Sequence, residues 1–150
     1  MSNVNVHIEK RKLGDGSLHV TIAGKIDERF DAATVLHDAH GKVVMHLGGV
    51  RSISSLGVRA FEMFVQALPA EVVLVHVSPA IASQLTMIPN LCGARTTVES
   101  AKLPFTCPAC GAEKSHSVPF HAGANVEHAP TCACGAVMEL DGLAEQYLPM

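Results

Sequence analysis

Residues 42–68, KVVMHLGGVRSISSLGVRAFEMFVQAL, set the fold class of this chain. The run from Lys42 to Leu47 is short and mostly apolar, as expected of a strand covered on both faces. Gly48-Gly49 reads as a turn feature. Ser54 or Ser55 then caps a helix in which Val58, Phe61, Phe64, Val65 and Leu68 recur at helical spacing, and Pro69 ends it. A strand that feeds a helix through small residues is the building unit of an α/β fold.

The same alternation extends outward on both sides. Val4 to Glu9 and Leu18 to Ala23 alternate in polarity around Gly14-Asp15-Gly16, which predicts a hairpin. Residues 28–40, ERFDAATVLHDAH, place Phe30, Ala33, Val35 and Leu36 on one helical face, and Gly41 is a natural stop. Beyond the opening stretch, Glu71 to Val77 reads as a strand. Ser78-Pro79 supplies a cap and a first-turn proline for a helix that ends between Asn90 and Gly93. Thr96 to Ser100 supplies a last strand. The order β-β-α-β-α-β-α-β predicts an α/β domain over residues 1–103, a mixed sheet with its helices mostly on one face.

The chain changes character at Pro104. Of the 150 residues, 48% are hydrophobic and 17% charged, enough to bury a core. Residues 1–103 carry 10 basic and 9 acidic side chains, whereas 104–150 carry 1 and 5, together with four of the five cysteines. About 45 residues with few large apolar side chains need a staple to fold. Residues 104–150 are therefore expected to be a second, small β module built around metal. The net charge of -3, with Lys114 alone among the bases of that module, argues against nucleic acid as a partner.

The stretch MSNVNVHIEKRK has no apolar leader core. Residues 72–94 carry no formal charge, but His76, Ser78, Pro79, Gln84 and Asn90 within them argue against a membrane span. A cytoplasmic protein with reduced cysteines and no membrane partner is expected.

Cys107-Pro-Ala-Cys110-Gly and, across a 21-residue gap, Cys132-Ala-Cys134-Gly bring four thiols onto two turns. Four thiolates suit a closed tetrahedral Zn2+ site, structural in kind. The second spacer is one residue short of the usual two. Either that turn adjusts to accept Cys132, or His128 or His121 replaces one sulfur. A dithiol redox pair is a third reading, because C-x-x-C also serves thiol oxidoreductases. Cys92 stands alone and reads as a buried structural thiol. Six histidines are spread through residues 1–103 without ligand spacing, and His37 and His40 read as solvated neighbours on one helix face.

Three local motifs, in order, resemble those of the STAS domain, the fold of bacterial anti-sigma factor antagonists. Ile22-Ala-Gly24-Lys-Ile26-Asp27 is similar to the family's L-x-G-x-L-D turn. Val50-Arg-Ser-Ile53-Ser54-Ser55-Leu56-Gly57-Val58 is similar to its V-x-x-[IM]-[DS]-S-[SA]-G-L segment, and Val75-His-Val77-Ser-Pro79 to its penultimate strand and capped helix. The resemblance covers residues 4–101. It implies a non-catalytic switch in which Ser55 accepts phosphate beside Asp27, and a face including Ser54 and Gly57 docks a kinase-type anti-sigma factor. Ser54 stands where phosphorylated members often carry Asp, and Leu56 replaces a small residue. No Ser/His/Asp order, paired carboxylates or phosphate-cradling glycine loop points to an enzyme. The expected function is a regulatory protein-interaction module with a structural zinc ribbon; a thiol redox protein and a ligand- or nucleic-acid-binding module are the alternatives.

Overall fold

The computed structural model describes residues 6–88, 91 and 93–149, with the side chain of Leu36 outside that set. Cys92 and the expected helix end at Asn90 lie outside the described residues. The fold is mixed α/β. A five-stranded sheet in the order β1-β2-β3-β4-β5 is built from Val6–Lys12, Leu18–Ile26, Gly41–Ile53, Ala70–Val75 and Thr96–Val98. Only the β1–β2 pair is antiparallel; the other neighbours run parallel. The helices α1 (Ala33–Asp38), α2 (Ser55–Ala67) and α3 (Pro79–Met87) connect the parallel strands.

Hairpin closure follows the expected turn. Gly16 takes a positive φ of 90°, and Asp15 Oδ1 accepts from the Ser17 amide and hydroxyl. Helix α1 is shorter than residues 28–40. Asp27 Oδ1 accepts the Arg29 amide and Asp31 Oδ1 the Ala33 amide, so the chain turns twice before the helix begins. His40 lies beyond the end of α1, and both His37 and His40 are exposed.

The central strand departs most from expectation. It runs for 13 residues, straight through Gly48-Gly49, which is strand and not turn. Pairing steps from Thr21↔His46 to Ala23↔Gly49, and again from Gly24↔Val50 to Lys25↔Ser52, so β3 holds an extra residue twice. A Cβ on Gly49 would sit 2.8 Å from Ala23 Cβ, so glycine permits the close approach at the first bulge. Nor is this strand covered on both faces. Val43, Met45 and Leu47 are buried, while Val44 and His46 between them are half-buried. Strand β2 repeats this alternation, with Leu18, Val20 and Ile22 inside and His19 and Thr21 outward. The buried face packs with Val58, Phe61, Phe64 and Val65 of α2 in one core, and Phe30 meets Phe61 and Phe64 with ring centroids 6.0 and 5.5 Å away.

The second sheet, in the order β7-β6-β8, consists of β6 (Ser100–Thr106), β7 (Glu113–Pro119) and β8 (Glu139–Leu140). Strand β6 thus starts four residues before the compositional break at Pro104 and continues across it. A single turn of helix, α4 (Ala124–Glu127), and a 3-10 helix, Ala144–Gln146, complete the chain. The sheets meet at Val77, whose amide donates to Ser100 O (3.1 Å) and whose carbonyl accepts from the Lys102 amide (2.7 Å). Among the described residues, no helix is long and apolar enough to cross a membrane.

The start of α2 is pressed onto the end of β2. The Ser54 amide donates to Ile26 O (3.0 Å), and a Cβ on Gly57 would fall 2.4 Å from that same oxygen. Gly57→Ala is therefore expected to lower stability by about 1–3 kcal/mol despite its better helix propensity. Chemical denaturation checks this, with a midpoint below wild type as the expected result.

Candidate functional site

The first group of predicted residues gathers where α2 begins. Ser54 is the N-cap, with its Oγ accepting the Gly57 amide at 3.0 Å. This leaves Ser55 as the first helical residue, with its side chain exposed. Asp27 is close by, since a Cβ on Gly57 would lie 3.0 Å from Asp27 Cα. Its carboxylate is held by Arg29 at 2.8 Å. Leu56 and Met63 are 60% and 67% exposed, and Arg59 between them is also exposed. Spacings of three and four residues align these side chains along one outward stripe of α2.

The four cysteines form the second group. Cys107 Sγ lies 3.5 Å from Cys134 Sγ, Cys110 Sγ lies 3.5 Å from Cys132 Sγ, and all four sulfurs fall within 4.8 Å of one another. Two knuckles of unequal length bring them together. In the first, the Cys107 amide donates to Ala112 O (2.8 Å) and the Gly111 amide to Cys107 O (2.9 Å). In the second, the Cys132 amide donates to Ala136 O (2.8 Å) and the Gly135 amide to Cys132 O (2.9 Å). The same two bonds close a loop one residue shorter, and Gly111 and Gly135 both supply the positive φ, 80° and 96°, that the turn needs. The turn thus adjusts to its short spacer, and Cys132 takes its place without a substitute histidine. These four cysteines can hold a metal ion.

The electrostatics of the cluster fit that role. The Cys110 amide, 3.4 Å from Cys107 Sγ, contributes most to holding the Cys107 thiol down to about 6. At Cys110 the Ala112 amide pulls downward, but the sulfurs of Cys132, Cys107 and Cys134 together push the thiol up to about 11. Cys134 is likewise raised by Cys107 and Cys132 against the pull of the Ala136 amide. Sulfurs this close do not share four negative charges unaided; a divalent cation among them lets all four ionise.

A third constellation escaped sequence reasoning. His19 Nδ1 lies 3.2 Å from His46 Nε2, and the His46 and His76 rings have centroids 6.4 Å apart. Three depressions in the surface border His46, the largest of about 760 Å3 reaching Lys10 and Arg11 of β1. Period-two alternation was a signal that His19 and His46 point outward, but only the inter-strand register makes them neighbours. His76 takes a positive φ of 51°, rare for a residue with a Cβ. Its amide donates to Ser100 Oγ (2.8 Å), and its Nδ1 sits 2.6 Å from Ser117 Oγ, so the ribbon's sheet holds the conformation in place.

No family model, curated protein or solved structure matches the chain.

Burial, followed by the charges of His19 and His76, holds His46 below the ordinary imidazole value, with Glu99 acting in the opposite sense. Unfolded chains take up that proton near pH 6.5, whereas the folded protein takes it up only at lower pH. The His46 contribution to stability is therefore complete above about pH 6.5 and is lost as pH falls through the folded value. NMR titration should place the His46 imidazole below the ordinary imidazole value, and His46→Gln should flatten the acid limb of stability against pH.

Proposed function

We propose that the chain is a non-catalytic, STAS-like protein-interaction module whose C-terminal ribbon is stapled by a structural Zn2+ on Cys107, Cys110, Cys132 and Cys134. The observation that carries the metal reading is the crossed contact pattern of the sulfurs. Each 3.5 Å approach joins one knuckle to the other, as a shared ion requires. A tetrahedron with Zn–S bonds of about 2.3 Å has sulfurs roughly 3.8 Å apart, close to this spacing. A dithiol oxidoreductase would instead couple the two sulfurs of one C-x-x-C pair at a helix start, whereas Cys107-Pro-Ala-Cys110 forms a turn that leads into β7 and opens no helix. Bound zinc would supply folding energy and no open position for chemistry.

Protein docking is supported by the outward stripe Leu56–Arg59–Met63, two exposed apolar side chains around a cation, beside the exposed Ser55. The resemblance of the Ser54-Ser55-Leu56-Gly57 segment to the STAS pattern implies a kinase-type anti-sigma factor as the partner of this stripe. Phosphate on Ser55 would add about two negative charges at the rim of that stripe and disrupt an apolar contact.

Two measurements test the reading. Native mass spectrometry of protein prepared without chelator should show one zinc per chain, lost with EDTA. Cys107→Ser should lose the metal and the folded ribbon, at a cost of several kcal/mol given the scale of zinc-coupled folding; metal-free protein with a folded ribbon would sink the staple. For docking, binding of a purified kinase-type anti-sigma factor should survive Ser55→Ala and fall at least about tenfold with Ser55→Glu or Leu56→Asp. Equal binding by all variants removes α2 from the interface.

A further inference from the structure

We propose that the loop joining the two cysteine knuckles carries a second metal site, in which His121, Glu127 and His128 bind a borderline divalent transition ion such as Zn2+, Ni2+, Co2+ or Cu2+. The ligand atoms of these three residues lie within 4.8 Å of one another. They stand apart from the cysteine set, which is complete in four sulfurs without either histidine.

Local hydrogen bonds assemble the site. The His121 carbonyl accepts from the Ala124 amide (3.2 Å), Gly123 turns the chain with a φ of 83°, and the His128 amide donates to Ala124 O (2.9 Å). One turn of helix thus returns residue 128 to the neighbourhood of residue 121, and the two rings meet edge to face at 6.0 Å. Glu127 Oε2 is 3.9 Å from His128 Nε2, and Glu127 Oε1 would lie 3.6 Å from a Cβ on Gly123, so its carboxylate leans back over the loop.

Protonation favours ligation. His121 Nδ1 lies 3.0 Å from the Ala122 carbonyl, which can only accept, so Nδ1 carries the proton and Nε2 keeps its lone pair. A carbonyl partner of this kind commonly fixes the tautomer of a metal-ligating histidine. Two neutral imidazoles and one carboxylate form an N2O set with a net charge of -1. Such a set suits borderline transition ions, whereas Ca2+ and Mg2+ prefer all-oxygen shells. All three side chains are exposed, and three protein ligands leave further positions to water.

The test uses the full chain, with Ni2+ as the probe followed by calorimetry and native mass spectrometry. Wild type should bind one equivalent beyond any metal retained by the cysteines. His121→Ala/His128→Ala should weaken that equivalent at least about tenfold, and Glu127→Gln should weaken it less. His46→Ala, which breaks the His19–His46 pair, should leave it unchanged. In wild-type protein, Ni2+ should selectively broaden the NMR signals of the His121 and His128 rings, a readout free of any folding defect in the variants. The proposal is overturned by absence of the extra equivalent, by its persistence in the double variant, or by its loss in His46→Ala. Metal on the cysteines is counted separately, so a vacant ribbon leaves the outcome readable.

Discussion

The pairing of Val77 with the start of β6 is the constraint on which both halves of the molecule depend. Backbone groups inside a protein must find partners. Val77 is fully buried two residues before α3, and its amide and carbonyl are satisfied by Ser100 and Lys102. The chain leaves the first sheet at Val98 and enters the second at Ser100, so β6 is anchored beside the end of β4 before the first clustered cysteine, Cys107, is reached. The left-handed backbone of His76 follows from the same junction. Its conformation costs on the order of 1–3 kcal/mol, offset by the two serine hydroxyls that hold its amide and ring. The cores are joined as well, since Leu103, Phe105 and Met138 belong to one buried cluster with Leu47 and Ile81.

Much of the fold was legible because local physics determined it. Ser54 and Ser78 cap their helices through their own oxygens, Pro79 opens α3, and glycine occupies the turns that demand positive φ. What escaped reading depended on partners distant in the chain. Gly48-Gly49 resembles a turn by composition, yet the β2 backbone and Ala23 across the ladder draw it into a bulged strand. Helix α1 loses its first turns to Asp27 and Asp31, whose side chains offer amides a local alternative to the helix. The extent of β6 was hidden because a fall in charge marks a change of surface, and the strand crosses that change without interruption.

At the cysteine cluster the residue types and approximate spacing were readable, and the short second knuckle was the open question. The answer lies in the backbone. Moving the acceptor carbonyl from the fifth residue after the first cysteine to the fourth keeps both closing hydrogen bonds at equal lengths. A turn defined by two hydrogen bonds and one glycine tolerates a deletion between its sulfurs as long as all three are preserved. That is why histidine is not needed to complete the set. It also leaves His121 and His128 at liberty to meet Glu127, a grouping that spacing along the chain does not suggest.

Electrostatics then connect the ribbon's two clusters. Residues 104–150 carry one basic side chain against five acidic ones, and four thiolates around a divalent ion would add two further negative charges. Such a field raises the local concentration of cations. Glu127 sits within it with a histidine as its neighbour and Lys114 as the sole lysine of residues 104–150. A cation held at the knuckle-linking loop would therefore relieve charge that the cysteine centre itself creates. Filling the cysteine site should strengthen binding at the histidine site through this field, with an effect that falls as added salt shortens the screening length.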